Sequence, residues 1–297
     1  MQEFDYAAPR SLKEAIGLLR KSGAVALAGG TDLLLRLQAR EQAPRLLVDL
    51  KRIPGFSELH FDAKTGMSIG PAVTMAQLER SDLVRRKYPA IAQGAEVVGS
   101  AQIRNRATLV GNLCNAAPSA DTPPGLLVLG ARVRLAGPRG RRTLALEDFF
   151  AEPGQTALRP GELVVAVQVP PPLPRSGSAY ARHTLRQAMD IAVTGVAVAL
   201  RLAPRGPVCA DIAIALGAVA PTPVRAHAAE DLLRGQELSP DLIEQAADAA
   251  AAAAQPIGDV RASAEYRREL VRVLTGRMIQ SALEDARQRG SARRRAA

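Results

Sequence analysis

Two stretches of this chain have residue types suited to holding an anion: Ala28-Gly29-Gly30-Thr31-Asp32 and Thr108-Leu109-Val110-Gly111-Asn112. In the first, Ala24 to Ala28 reads as a buried strand, and Gly29 and Gly30 let backbone amides approach a ligand. An apolar helical pattern restarts at Leu33. Amides gathered at a strand-to-helix turn make a seat for phosphate. A carboxylate beside a pyrophosphate would repel it, so Asp32 is expected to turn away and cap the helix from Leu33 to Ala39. Thr31 is then the residue left to bond the phosphate. By itself a Gly-Gly turn fits an ordinary strand-to-helix junction equally well.

The second stretch sits in a longer run, Ala101 to Pro124, with few residues that could build a core. Thr108, Asn112, Asn115, Ser119 and Asp121, with one glycine and three prolines, predict a rigid loop presenting donors and acceptors. Two such cradles, far apart in sequence, point to one split site for a dinucleotide. No Gly-x-Gly-x-x-Gly follows a strand, so the Rossmann fingerprint is missing.

Other chemistry is excluded by what the chain lacks. Cys114 and Cys209 are the only cysteines, and His60, His183 and His227 the only histidines. Two thiols cannot hold an iron–sulfur cluster, and no Cys/His spacing resembles a zinc site, so no metal is expected. No Ser/His/Asp or Cys/His arrangement can be assembled, and no catalytic acid, base or nucleophile is assigned. Cys114 reads as a small buried residue.

A net charge of +10 raises the question of nucleic acid, but aromatic content is only 3% with no tryptophan, so stacking platforms are missing. The dense basic run is at the end, through Arg287, Arg289, Arg293, Arg294 and Arg295. Such a surface can steer an acidic partner or an anionic electron acceptor. No stretch is apolar enough to span a membrane and no signal peptide is visible, which predicts a cytoplasmic protein.

The elements that must position the two cradles fall into three units. Residues 1–54 read as a helix at Ser11 to Lys21, the strand before Gly29, the helix after Asp32 and a strand at Leu46 to Leu50. This is a small βαβ layer with parallel strands. Residues 55–174 alternate short strands (Met67 to Gly70, Val133 to Leu135, Leu163 to Val169) with helices at Met75 to Ser81 and Ala90 to Val97. The run Pro170-Pro171-Pro172 with Pro174 marks a stiff boundary.

Residues 175–290 begin with two β-branched runs, Ala192 to Leu202 and Val208 to Val219, which predict an antiparallel hairpin. Helices follow at Ala226 to Arg234, Ser239 to Ala254 and Ala264 to Arg289, before a basic tail at 291–297. The fold class is therefore α+β.

With these residues in view, the chain resembles the FAD-binding medium subunits of the molybdenum hydroxylases, the group of xanthine dehydrogenase and aerobic carbon monoxide dehydrogenase. The two glycine-bearing segments carry the likeness. It extends from Phe4-Asp5-Tyr6 through Val48-Asp49-Leu50 and Gly161-Glu162-Leu163 to Arg186-Gln187-Ala188-Met189-Asp190-Ile191-Ala192.

The resemblance implies a FAD-binding domain of the vanillyl-alcohol-oxidase type, built of two α/β subdomains, with a C-terminal domain of antiparallel sheet and helices. It implies that Leu27, Ala28, Gly29, Gly30, Thr31, Asp32, Leu33 and Leu34 wrap the cofactor from one side. Thr108, Leu109, Val110, Gly111 and Asn112 do so from the other, with Asp121 as a further polar contact. Val110 stands where many relatives have a second glycine.

Contacts from Val164, Arg182, Asp190 and Ile191 are implied as well. By pattern alone Val164 and Ile191 equally fit core positions, and Arg182 equally fits a solvated strand-end cation. The implied partners are a small subunit with 2Fe–2S clusters and a large molybdopterin subunit, in a dimer of heterotrimers, with electrons leaving through FAD. The alternative is a self-contained FAD-dependent oxidoreductase.

Overall fold

Short apolar strands alternating with helices open the chain, and helical crossovers force neighbouring strands to run parallel. The computed structural model describes residues 3–296, with side chains described for 3–289. The first sheet contains β1 (Asp5–Ala7), β2 (Ala24–Leu27) and β3 (Leu46–Asp49) in the order β1-β3-β2, with both pairings parallel. Helix α1 (Leu12–Leu19) links β1 to β2, its start capped by Ser11, whose hydroxyl accepts from the Glu14 amide. Helix α2 (Leu33–Gln38) links β2 to β3. Ala15, Leu46, Val48, Leu50, Ile53 and Phe56 form the core of this layer.

The second unit is antiparallel throughout. Strands β4 (Leu59–Asp62) and β5 (Gly66–Ile69) precede a block of six helices: α3 (Met75–Arg80), α4 (Asp82–Lys87), α5 (Pro89–Glu96), α6 (Ala101–Arg104), α7 (Leu109–Asn115) and α8 (Thr122–Val128). Strands β6 (Arg132–Gly137) and β7 (Gly140–Ala145) follow, then a small hairpin of β8 (Phe150–Glu152) and β9 (Gln155–Thr156), and finally β10 (Leu163–Val169). The sheet order is β4-β5-β10-β6-β7. The helices are thus gathered into one run rather than alternating with the strands.

The stretch expected to be a proline-stiffened loop is mostly helical. Leu109 and Leu113, four residues apart on one face of α7, are fully buried, so this segment does build core. Pro123 and Pro124 lie in the first turn of α8 and are themselves buried. A proline there forfeits no hydrogen bond, because the first amides of a helix have no partner within it.

In the third unit β11 (Ser176–His183), β12 (Thr194–Leu202), β13 (Cys209–Gly217) and β14 (Val224–Arg225) form an antiparallel sheet in that order. The predicted hairpin is β12–β13. Helices α9 (His227–Leu233), α10 (Pro240–Ala253) and α11 (Ala264–Ala296) complete the unit. The basic tail read at 291–297 lies outside the described side chains.

Period-two alternation divides the sheet's work. Val196, Val198, Leu200, Ile212, Ile214 and Leu216 pack with the helices that follow the sheet, whereas Ala197 and Ala215 join the core of the second unit. Alanine on that face lets α5 and α8 sit close against the sheet. At the edge strand β11, side chains occupy two of the free amides: Tyr180 N donates to Gln93 Oε1 at 2.7 Å and Ser178 N to Asp285 Oδ2 at 3.1 Å. Among the described residues no helix is long and apolar enough to cross a membrane, and no group of three or more His, Cys, Asp or Glu could hold a metal ion.

Candidate functional site

The first cradle follows directly from β2. Gly30 takes φ +81°, the left-handed region that favours glycine, and reverses the chain into α2. Gly29 has a different duty. A Cβ built there would fall against the Arg106 carbonyl oxygen and within 2.9 Å of Ala107 Cα, so only glycine lets the two cradles touch. The second cradle is the first turn of α7: Thr108 is its N-cap, and its hydroxyl accepts from the Gly111 amide at 3.0 Å.

Both cradles open onto one cleft of about 480 Å³. Leu27, Ala28, Gly29, Gly30, Thr31, Asp32 and Leu33 line it from the first unit, and Thr108, Val110, Gly111, Asn112 and Val164 from the second. Among the described residues the amides of Gly29, Gly30 and Thr31 have no protein acceptor, which leaves three donors for an anionic ligand. Leu34 and Leu109 stand outside the lining, Leu109 fully buried behind α7. Val164 is both things at once, a buried core residue and part of the cleft wall, beside an irregularity in the β10–β6 ladder.

Asp32 does not cap α2: no side-chain cap bond forms there. Its Oδ1 instead accepts from Asn115 Nδ2 at 3.2 Å, and Arg36 Nη2 donates to Asn115 Oδ1 at 2.5 Å. Thr31 Oγ1 lies 3.4 Å from the other Asp32 oxygen. One carboxylate oxygen thus reaches across to the opposite cradle while the other stays beside Thr31. Asn115 and Arg36 were not expected as site residues. The only sequence sign of Asn115 was its place in a run of small polar side chains.

A second tie reaches the first cradle from behind. Tyr6 Oη donates to Asp49 Oδ2 at 2.6 Å, Asp49 Oδ1 lies 2.7 Å from Lys51 Nζ, and Lys51 Nζ donates to the Ala28 carbonyl at 3.1 Å. Burial pushes the Asp49 carboxyl up, but the bonds from Lys51 and Tyr6 outweigh it and hold the group below its ordinary range. Lys51→Met is therefore expected to weaken retention of a cradle-bound ligand by several-fold, since the Ala28 carbonyl loses its anchor. Titration of ligand-free protein checks this, with unchanged affinity as the contrary result.

Asp121 and Arg182 meet each other. Arg182 Nη1 donates to Asp121 Oδ2 at 2.6 Å and Tyr180 Oη to Asp121 Oδ1 at 2.8 Å, with both charged side chains buried. Arg182 is thus not the solvated cation that its strand-end position allowed. Burial pushes the Asp121 carboxyl up to about 6, although the guanidinium and the phenol both favour the carboxylate. The pair is outside the cleft lining but adjoins it, because Thr122 Oγ1 donates to Asn112 Oδ1 at 2.6 Å.

Asp190 and Ile191 occupy the segment between β11 and β12, also outside the lining. Asp190 accepts from the amides of Arg186 and Ile191, which hold its carboxyl low. Ile191 is 46% exposed, so it is not a core residue.

The cleft lining contains no histidine and no tyrosine. Its one thiol, Cys114, is pushed up to about 12 by burial and is no nucleophile at neutral pH. What the arrangement can do is grip an anion by backbone amides while offering an apolar wall, and a dinucleotide with a pyrophosphate and a flat ring fits that donor set.

Comparison with known proteins agrees with this geometry. Residues 2–172 match the family described as the FAD binding domain in molybdopterin dehydrogenase. Residues 179–282 match the CO dehydrogenase flavoprotein C-terminal domain. The chain is 33% identical over 288 residues to a xanthine dehydrogenase FAD-binding subunit of Escherichia coli O157:H7, covering 95% of this chain and 98% of that one. It is 34% identical to the carbon monoxide dehydrogenase medium chain of Hydrogenophaga pseudoflava, covering 95% and 96%.

Among solved structures, carbon monoxide dehydrogenase from H. pseudoflava superposes with a TM-score of 0.91 at 34% identity, covering 96% of this chain and 98% of that one. Quinoline 2-oxidoreductase from Pseudomonas putida 86 does so with 0.89 at 31%, with the same coverage.

Proposed function

This chain belongs to the FAD-binding medium subunits of the molybdenum hydroxylases, and we propose that its two cradles hold FAD at the outlet of an electron path that begins on partner subunits. The observation that carries this reading is the convergence of both cradles, with the three free amides of Gly29, Gly30 and Thr31, on one cleft. In this reading those amides and the first turn of α7 receive the pyrophosphate. Val164 backs the cofactor, the Asp121–Arg182 pair stands beside the cleft as a further polar contact, and Asp190 and Ile191 are assigned to the ring by the family resemblance. Bound FAD supplies the capacity to accept electrons singly and release them in pairs. The chain's own residues bind it and orient it.

The partners are a small iron–sulfur subunit and a large molybdopterin subunit, in a dimer of heterotrimers in the cytoplasm. Residues 1–54 and 55–174 are the two FAD-binding subdomains, and 175–290 the C-terminal domain. A self-contained oxidoreductase would need a base or a covalent flavin link at the ring; the cleft lining has neither histidine nor tyrosine, burial keeps its thiol Cys114 protonated, and its carboxylates Asp32 and Glu162 are bonded to Asn115 and Arg142.

The deciding experiment compares the purified chain alone with the chain supplemented by its two partners. Alone, it is expected to show a flavin absorbance band that persists when the complex's organic substrate is added. With the iron–sulfur and molybdenum subunits present, substrate should bleach that band. Bleaching by substrate in the chain alone would overturn the electron-outlet reading in favour of a self-contained enzyme, and a purified protein without flavin would overturn the site.

A further inference from the structure

The alanine face of the C-terminal sheet does not end where α8 stops covering it. Past Ala199 and Ala213 it runs into a second cleft, of about 420 Å³, which shares no lining residue with the FAD cleft. The opposite wall is the end of α8, with Val128 and Leu129, and the proline run Pro170 to Pro172. At the next positions on the same face stand Arg201 on β12 and its cross-strand partner Asp211 on β13.

Charge is left over on this wall. Asp211 turns to Arg234 at 3.3 Å, whereas the Arg201 side chain has no hydrogen bond or ion pair among the described residues, and its Nε is buried without an acceptor. Lys87 Nζ sits 4.6 Å above the Phe61 ring and has no carboxylate partner among the described residues. The other cations of the lining are committed, Arg225 to Glu230 and Arg289 to Asp285. Arg201 is thus left without an acceptor at a mainly apolar hollow, with the Lys87 ammonium nearby engaged only by the Phe61 ring.

A buried donor without an acceptor costs stability, and native structures leave few of them. A volume of this size suits one ring or a short alkyl chain. We propose that the cleft between the proline run and the β12–β13 face is a binding site for a small organic carboxylate, with its apolar body against Val128, Leu129 and Pro171 and its carboxylate on Arg201. Such a ligand would touch both the FAD-binding part and the C-terminal sheet.

The test uses the full chain with FAD bound, titrated by calorimetry with benzoate and octanoate, and with benzamide as a neutral isostere of benzoate. At least one carboxylate is expected to bind, benzamide not to, and the flavin spectrum to stay unchanged. Arg201→Gln should weaken binding by about tenfold or more, the loss of a charge-assisted hydrogen bond, and Lys87→Gln by less. Should Arg201→Gln fail to fold, Lys87→Gln decides alone. The proposal is overturned if neither carboxylate binds, if benzamide binds as tightly, if the variants that fold leave affinity unchanged, or if binding is seen only without FAD.

Discussion

Gly29→Val is expected to give a folded protein that cannot hold FAD. A Cβ at this position meets the backbone of Arg106 and Ala107, which cannot step aside as the end of a flexible side chain could. The two cradles must therefore separate, and the free amides of Gly29, Gly30 and Thr31 lose their register with the first turn of α7. Gly29 belongs to none of the three buried cores, so the damage stays local. The expected loss in FAD affinity is at least about a hundredfold, or about 2.7 kcal/mol. Flavin absorbance per protein checks it, with far-ultraviolet circular dichroism as the control for folding. Gly111→Ala is the informative comparison: its Cβ meets only the Thr108 hydroxyl, at 2.8 Å, so it disturbs a helix cap worth about 1 kcal/mol and should keep much of the flavin. Full flavin occupancy in Gly29→Val would show that the cradles do not need each other.

Arg182→Met is expected to damage the fold itself, by about 3–5 kcal/mol at neutral pH, because it strands a buried carboxylate. Tyr180 would still donate to Asp121, but nothing would balance the charge. The deficit should depend on pH. In the unfolded chain an aspartate titrates near about 3.9, whereas in the fold burial already holds Asp121 at about 6. Without the guanidinium it must rise further. The folded variant then binds more protons than the unfolded one across that whole interval, so its stability increases as the pH falls through the raised folded value toward about 4. Urea unfolding at a series of pH values measures this directly. Wild type gains in the same way below about 6, so the deficit narrows only between the variant's raised value and about 6; a deficit that is flat or grows across that window would mean that the pair is not what keeps the carboxylate ionised.

How far these features were legible in the sequence depended on whether their cause was local. The strand before Gly29, the capped helix after Ser11 and the β12–β13 hairpin announced themselves through periodicity and caps. The 101–124 segment did not, because its prolines and small polar residues have the composition of a loop. Thr108 and Asp121 are instead N-cap residues, and Pro123 and Pro124 first-turn residues, of short helices, and only burial of Leu109, Leu113 and Leu126 against the second unit gives those helices a reason to form. Strand β11, Ser176-Gly177-Ser178-Ala179-Tyr180, lacks the β-branched residues that mark β12 and owes its place to α5 and α11 packed against it.

The same division runs through the site. Sequence by itself determined the α+β class, the two glycine-bearing segments and the family that shares them, because each of these is a property of residue type and near-neighbour spacing. Tertiary structure alone decided that Asp32 reaches Asn115 rather than capping its helix, that Lys51 braces the Ala28 carbonyl, and that Asp121 and Arg182 neutralise each other in the interior. Those outcomes depend on which groups are brought within about 3 Å across separations of 23 to 83 residues. A charge buried by folding takes whatever partner the packing places beside it, and no local pattern encodes that choice.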